Sequence, residues 1–228
     1  MSNKKNILIV GGGSFGYEIY DLFCSDQSIN IIGFLDDDKN CVLRKKTNDL
    51  EHFGDLFCNN LDKKYSLHIA TGNWKLNSKL FKFYKSKGHD LHTFIHPKST
   101  ISETSIIDEG CYIGPNTIIS ANTIIEPNVS INFFCGVGHD CVIGKNSILS
   151  PQVMINGNCK VGESVFFGTR SVIFENLEIG KYSTIDSGTI LNHNLEDFSI
   201  VSDREVPKVH HDKIKKHFYL SENTEEDI

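Results

Sequence analysis

An imidazole directly followed by a carboxylate, His139-Asp140, is the pair in this sequence best suited to moving a proton near neutral pH. The neighbouring carboxylate can orient the histidine or raise its basicity. Asp140 also has a purely structural reading, because its column of positions is rich in asparagine and a tight corner favours that residue type. Near the N-terminus, Gly11-Gly12-Gly13-Ser14-Phe15-Gly16 has the spacing G-x-G-x-x-G, and Asp36-Asp37-Asp38 follows about twenty residues later. Glycines so spaced let backbone N–H groups face a pyrophosphate, and the carboxylates suit a ribose or a base. The seven cysteines show neither C-x-x-C nor zinc-like spacing, which points to structural thiols and to no metal.

Each of these groups needs an element to hold it. From Ile95 to Leu191 an aliphatic or aromatic residue returns at every sixth position, seventeen times in succession. Two residues before each next one stands a small or aliphatic residue, including Cys111, Cys135, Cys141 and Cys159. A period of six fits neither a helix nor a flat sheet, but it fits a parallel β-helix of hexapeptide repeats with three hexads per triangular coil. Pro97, Pro115, Pro127 and Pro151, with Asn116, Asn122, Asn128, Asn146, Asn158, Asn176 and Asn194, then fall at the corners. Proline presets φ for a turn, and asparagine tolerates the left-handed conformation. On this register His139 lies at a corner between Ala121 and Gly157 in the coils on either side. Small neighbours about 4.8 Å away should leave room beside the imidazole for a substrate. His193 shares the column but lies three coils, about 14 Å, away.

Ahead of the repeat, strands are expected at Asn6–Val10, Ile31–Leu35, Ser66–Ala70 and Leu91–Ile95, the last closing a small parallel sheet. A helix carrying Ile19, Leu22 and Phe23 follows the glycines, and a second runs from about Trp74 to Lys87 after Thr71-Gly72-Asn73. Asp49–Cys58 reads as a short helix, and Lys39–Asn48 has no clear assignment. The fold class is α/β plus β-helix: a small Rossmann-like domain over residues 1–94, a β-helix over 95–201 and a tail over 202–228, with Lys208–Leu220 helical and capping the open end. A net charge of −6 without a basic stripe argues against nucleic acid. Without a long apolar stretch or a signal-peptide pattern, no membrane association is expected and the cytoplasm is the expected compartment.

This order of motifs resembles the NeuD/PglD family of bacterial sugar acetyltransferases. The likeness is carried by Gly11-Gly12-Gly13, Phe34-Leu35-Asp36-Asp37, Ile95-His96-Pro97 and His139-Asp140-Cys141-Val142-Ile143-Gly144, and it extends from residue 6 to about 200. It implies a left-handed β-helix and a homotrimer with sites between subunits. It also implies acetyl-CoA as donor and, as acceptor, a nucleotide-linked 4-amino-4,6-dideoxy sugar for surface glycan biosynthesis. His139 then resembles the general base and Asp140 its acidic neighbour, while Asn132 matches a position that contacts the acceptor amine. Gly13, Ser14, Phe15, Asp36 and Asp37 match the nucleotide-sugar site, joined by Gly72 and Asn73. Gly157 and Thr169 match the coenzyme A groove, and Ile148 stands where many members have a histidine near the thioester. Alternatives are O-acetylation of sialic acid by the same base, and a non-catalytic trimeric nucleotide-sugar-binding protein.

Overall fold

The computed structural model of the protein describes residues 4–47 and 50–203. The chain opens with β1 (Lys5–Val10), α1 (Ser14–Phe23), β2 (Ile29–Leu35), α2 (Val42–Lys46), β3 (Glu51–His52), β4 (Ser66–Ile69) and α3 (Trp74–Ser86). The four strands form a parallel sheet in the order β3-β2-β1-β4. Ile7 to Val10 are fully buried, as expected of a central parallel strand covered on both faces. Asn73 caps α3 by accepting from the Lys75 and Leu76 N–H groups. At the other end Gly88 turns left-handed at φ +76°, and His89 N–H donates to Tyr84 O. With Gly88 N–H on Lys85 O, this is the Schellman stop.

Three local expectations change. The unassigned segment 39–48 contains α2, and the short helix expected over Asp49–Cys58 is instead β3 followed by turns. Gly54 has φ +131°, which a helix does not accommodate. Side-chain-free Gly33 also lets Glu51 O and the Phe53 ring approach within 2.4 Å of where a Cβ would stand. Leu91 meets the sheet only through one bridge to Leu67, and Phe94–Ile95 pairs with Tyr112–Ile113 in the next architecture.

That architecture is a left-handed β-helix of eighteen two-residue strands, from Phe94–Ile95 to Ile200–Val201. They stack into three parallel sheets of seven, six and five strands. In every strand from Tyr112–Ile113 to Ile190–Leu191 the second residue is buried, and Ile113, Ile131, Ile143, Leu149, Phe167 and Ile185 are fully so. The inward cysteines are buried free thiols. Burial pushes the thiol of Cys111 up to about 12 and that of Cys135 to about 11. Left-handed φ values recur every sixth residue from Asn116 to Tyr182, Asp140 among them. Asn194 is the exception. The last coil is two residues shorter, Thr184–Ile185 pairing with Ile200–Val201, and the Asn194 side chain accepts the Glu178 N–H that a backbone carbonyl takes in fuller coils. Beyond Asp203 the expected tail helix lies outside the described residues.

The two halves pack on each other. Along α3, Lys85 pairs with Glu109 at 2.7 Å, Asn77 accepts from Asn128, and Trp74 meets Tyr182 at 5.8 Å. On the seven-stranded face the outward residues Phe94, Tyr112, Ser130 and Ile148 are buried, whereas Ile200 at the far end is 80% exposed. The N-terminal domain therefore covers the early coils of that face and leaves the late ones open.

Candidate active site

The corner after Gly136–Val137 holds the His139–Asp140 pair. Gly138 is needed there, since a Cβ would fall 2.6 Å from Gly157 N and 2.7 Å from Asn156 C. Asp140 then turns left-handed at φ 56°, which brings its Oδ2 to 2.7 Å from His139 Nδ1. Its Oδ1 accepts from Asn122 Nδ2 at 3.2 Å. The bonds from His139 and, secondly, Asn122 hold the Asp140 carboxyl below the usual carboxylate range. An ionised carboxylate only accepts, so the neutral ring carries its proton on Nδ1 and leaves Nε2 bare. The room over Gly157, expected to serve a substrate, is taken by the imidazole itself: a Cβ at Gly157 would lie 2.7 Å from Nε2 and 2.8 Å from Cε1.

Beside the ring opens a groove of about 570 Å³, lined by Ile118, Phe134, Gly136, Met154, Asn156 and Glu175 among others. Gly136 makes its floor, because a side chain there would collide with Met154 Cε at 2.6 Å. The groove is mostly apolar with a base at its rim, an arrangement suited to a hydrophobic chain carrying an electrophile.

The other predicted residues fall into separate groups. The sheet order reverses between β1 and β4, and the crevice outside their carboxyl ends is flanked by the loops Gly11–Gly13 and Ala70–Asn73. Gly13 and Gly72 present open backbone, with no atom within 4 Å of a Cβ position. Gly13 is the N-cap of α1 and supplies no side-chain cap, which leaves the first-turn N–H groups at Ser14 and Phe15 in an arrangement suited to an anion. Phe15 packs edge-on to Tyr112 at 5.8 Å, which ties this loop to the β-helix.

The carboxylates take part in bonds within the chain. Asp36 Oδ2 accepts Gly12 N–H at 2.6 Å and its Oδ1 accepts Asp38 N–H, so it braces the glycine loop from within the chain. Asp37 Oδ1 accepts Leu56 N–H. Asn73 spends its Oδ1 on the α3 cap.

Within one chain, Asn132 and Thr169 lie at the corner before the His139 face, not at the His139 corner. Asn132 Oδ1 accepts Phe133 N–H. Ile148, 7% exposed, is on the face covered by the N-terminal domain. The contribution of Asn122 was missed. Its only sequence signal is that it stands eighteen residues, one full coil, before Asp140. Among the described residues no helix is long and apolar enough to cross a membrane, and no cluster of His, Cys, Asp and Glu could hold a metal.

Residues 6–83 match the family model described as the PglD N-terminal domain, and residues 122–157 match bacterial transferase hexapeptide (six repeats). No curated protein sequence matches the chain significantly. Among solved structures, the acetyltransferase domain of PglB from Neisseria gonorrhoeae in complex with acetyl coenzyme A is similar with a TM-score of 0.79 at 23% identity, over 87% of this chain and 96% of that one. PerB from Caulobacter crescentus in complex with CoA and GDP-perosamine gives 0.73 at 22%, over 90% and 97%. WeeI from Acinetobacter baumannii gives 0.72 at 22%, over 88% and 98%. At these identities the likeness is one of fold. The chain thus joins a domain of the PglD N-terminal type to a β-helix of the bacterial transferase hexapeptide type, the pairing that its resemblance to the NeuD/PglD family led us to expect.

Proposed function

We propose that the protein is an acetyl-CoA-dependent N-acetyltransferase acting on the 4-amino group of a nucleotide-linked 4-amino-4,6-dideoxy sugar. The observation that carries this reading is the His139–Asp140 pair, proton on Nδ1 and Nε2 bare, at the rim of an apolar groove. The N-terminal crevice, with open backbone at Gly13 and Gly72, is the place for the nucleotide diphosphate. Structural neighbours described with acetyl coenzyme A, and with CoA and GDP-perosamine, support both substrate classes.

In the reaction, the amine nitrogen attacks the thioester carbonyl carbon, and His139 Nε2 takes a proton from that nitrogen. As the tetrahedral intermediate collapses the C–S bond breaks, and coenzyme A leaves as thiolate. Asp140 stabilises the imidazolium that forms. Positioning of the two substrates contributes alongside the base. One chain does not complete the site, because Asn132 and Thr169 stand at a different corner from His139. Exposed apolar columns at Ile118, Met154 and Ile190, and at Ile106 and Ile124, are surfaces for further copies. We assign the active form as a homotrimer, in the reducing cytoplasm that keeps its seven cysteines free.

The test is the product formed from acetyl-CoA and a panel of UDP-, dTDP- and GDP-linked 4-amino-4,6-dideoxy sugars, with sialic acid as the competing acceptor. An N-acetylated nucleotide sugar, identified by mass and amide NMR signals, is expected. Acetylation of sialic acid alone, or of none, contradicts the assignment.

A further inference from the structure

We propose that Asn122 is a positioning residue for the His139–Asp140 pair, holding the carboxylate in the plane that keeps the imidazole proton on Nδ1 and Nε2 bare. The inference deepens the reading of His139 as base and rests on it for its catalytic consequence. Its structural content is a continuous chain of bonds along one corner of the β-helix. Ser102 Oγ lies 3.1 Å from Thr104 Oγ1, which accepts Asn122 N–H at 2.9 Å. The Asn122 amide donates to Asp140 Oδ1 at 3.2 Å, and Asp140 Oδ2 receives His139 Nδ1 at 2.7 Å. Asp140 N–H is fixed on Ala121 O at 2.9 Å, so the backbone of the coil below holds the residue while the amide of that coil holds its side chain.

The arrangement needs this residue type at this place. Asn122 and Asp140 share the left-handed conformation, φ 57° and 56°, and stack one coil apart, so their short side chains meet directly. A carboxylate bonded only to an exposed imidazole can rotate about χ2 and let the ring flip; with its second oxygen held it cannot. Among the described residues, the other acidic groups in the His139 column are Glu103 and Glu175, each two coils from His139, about 10 Å by the coil spacing. Glu175 also lines the groove. Neither bonds the imidazole, so Asn122 acts on the one carboxylate that does.

Two variants keep the left-handed backbone: Asn122→Gly, which removes the amide, and Asn122→Asp, which sets a second carboxylate beside Asp140. The first readout is 15N NMR of histidine-labelled protein, with the His139 signal identified by its loss in His139→Gln. Neutral His139 is expected as the Nδ1–H tautomer in the natural protein and as a mixture of tautomers in Asn122→Gly. In Asn122→Asp it is expected to titrate at higher pH, because added negative charge favours the imidazolium. The second readout is kinetic. Asn122→Gly is expected to lower kcat about tenfold with KM unchanged, and Asn122→Asp to move the lower limb of the kcat/KM profile upward in pH. An unchanged tautomer in Asn122→Gly and an unmoved titration in Asn122→Asp overturn the inference whatever the reaction. The expected NMR changes without any kinetic change leave the bonding chain standing, and it is the role of His139 as base that fails.

Discussion

At the scale of the residue, the candidate chemistry depends on atoms that a side chain in the wrong place would displace. Gly157 is the clearest case, since the His139 ring lies over its Cα and a Cβ would come within 2.7 Å of Nε2. Gly157 does not have the left-handed φ that would penalise alanine, so Gly157→Ala should fold normally and push the imidazole off its position. We expect a fall in kcat/KM of at least about tenfold with melting temperature little changed, measured by steady-state kinetics and thermal denaturation. His139-Asp140 was legible because the two residues are adjacent in sequence. Asn122 was not, because its partnership exists only through the coil register. Asp36 was read as a ligand for a sugar or base, yet its two oxygens hold Gly12 and Asp38 N–H groups. Sequence spacing places a carboxylate beside a glycine loop without saying whether the loop or a ligand uses it.

At the scale of the element, the hexads were readable because the inward position recurs without interruption and the corners advertise themselves through asparagine. Departures came where a local contact outweighed the pattern. The shortened last coil exchanges a backbone acceptor for the Asn194 side chain, and Gly33 and Gly54 convert an expected helix into β3 and its turn. The Rossmann-like sheet carries an acid-sensitive element of its own. His68 on β4 is fully buried, donates Nδ1–H to His92 O, and packs on Phe23. Burial lowers its pKa from 6.5 to about 4, and burial together with Lys5 does the same to His92. Both groups bind their protons more readily when unfolded, so folding stability is complete above pH 6.5 and falls as pH drops from there toward 4. A shift of this size at fully buried His68 corresponds to about 3 kcal/mol. The melting temperature of the natural protein should therefore decline steadily over that interval, and His68→Leu should show a shallower decline. Equal slopes would mean that His68 does not set acid stability.

At the scale of the whole molecule, the domain order could be read from sequence, but the way the domains are joined could not. α3 spans about 20 Å along its axis and reaches from Glu109 to Tyr182, four coils apart, so the crevice at Gly13 and Gly72 is held in a fixed relation to the β-helix. His139 stands at one corner of the β-helix and Asn132 and Thr169 at another, with Thr169 two coils beyond Asn132, so the proposed homotrimer is the form in which these residues would share a site. The measurement that bears most directly on the central claim is kcat/KM for acetyl transfer to a nucleotide-linked 4-amino sugar, compared between the natural protein and His139→Ala across pH 5.5 to 9 by release of the coenzyme A thiol. A loss of at least about a hundredfold, with disappearance of the limb due to the base, is expected. Activity of His139→Ala close to that of the natural protein at every pH would contradict it.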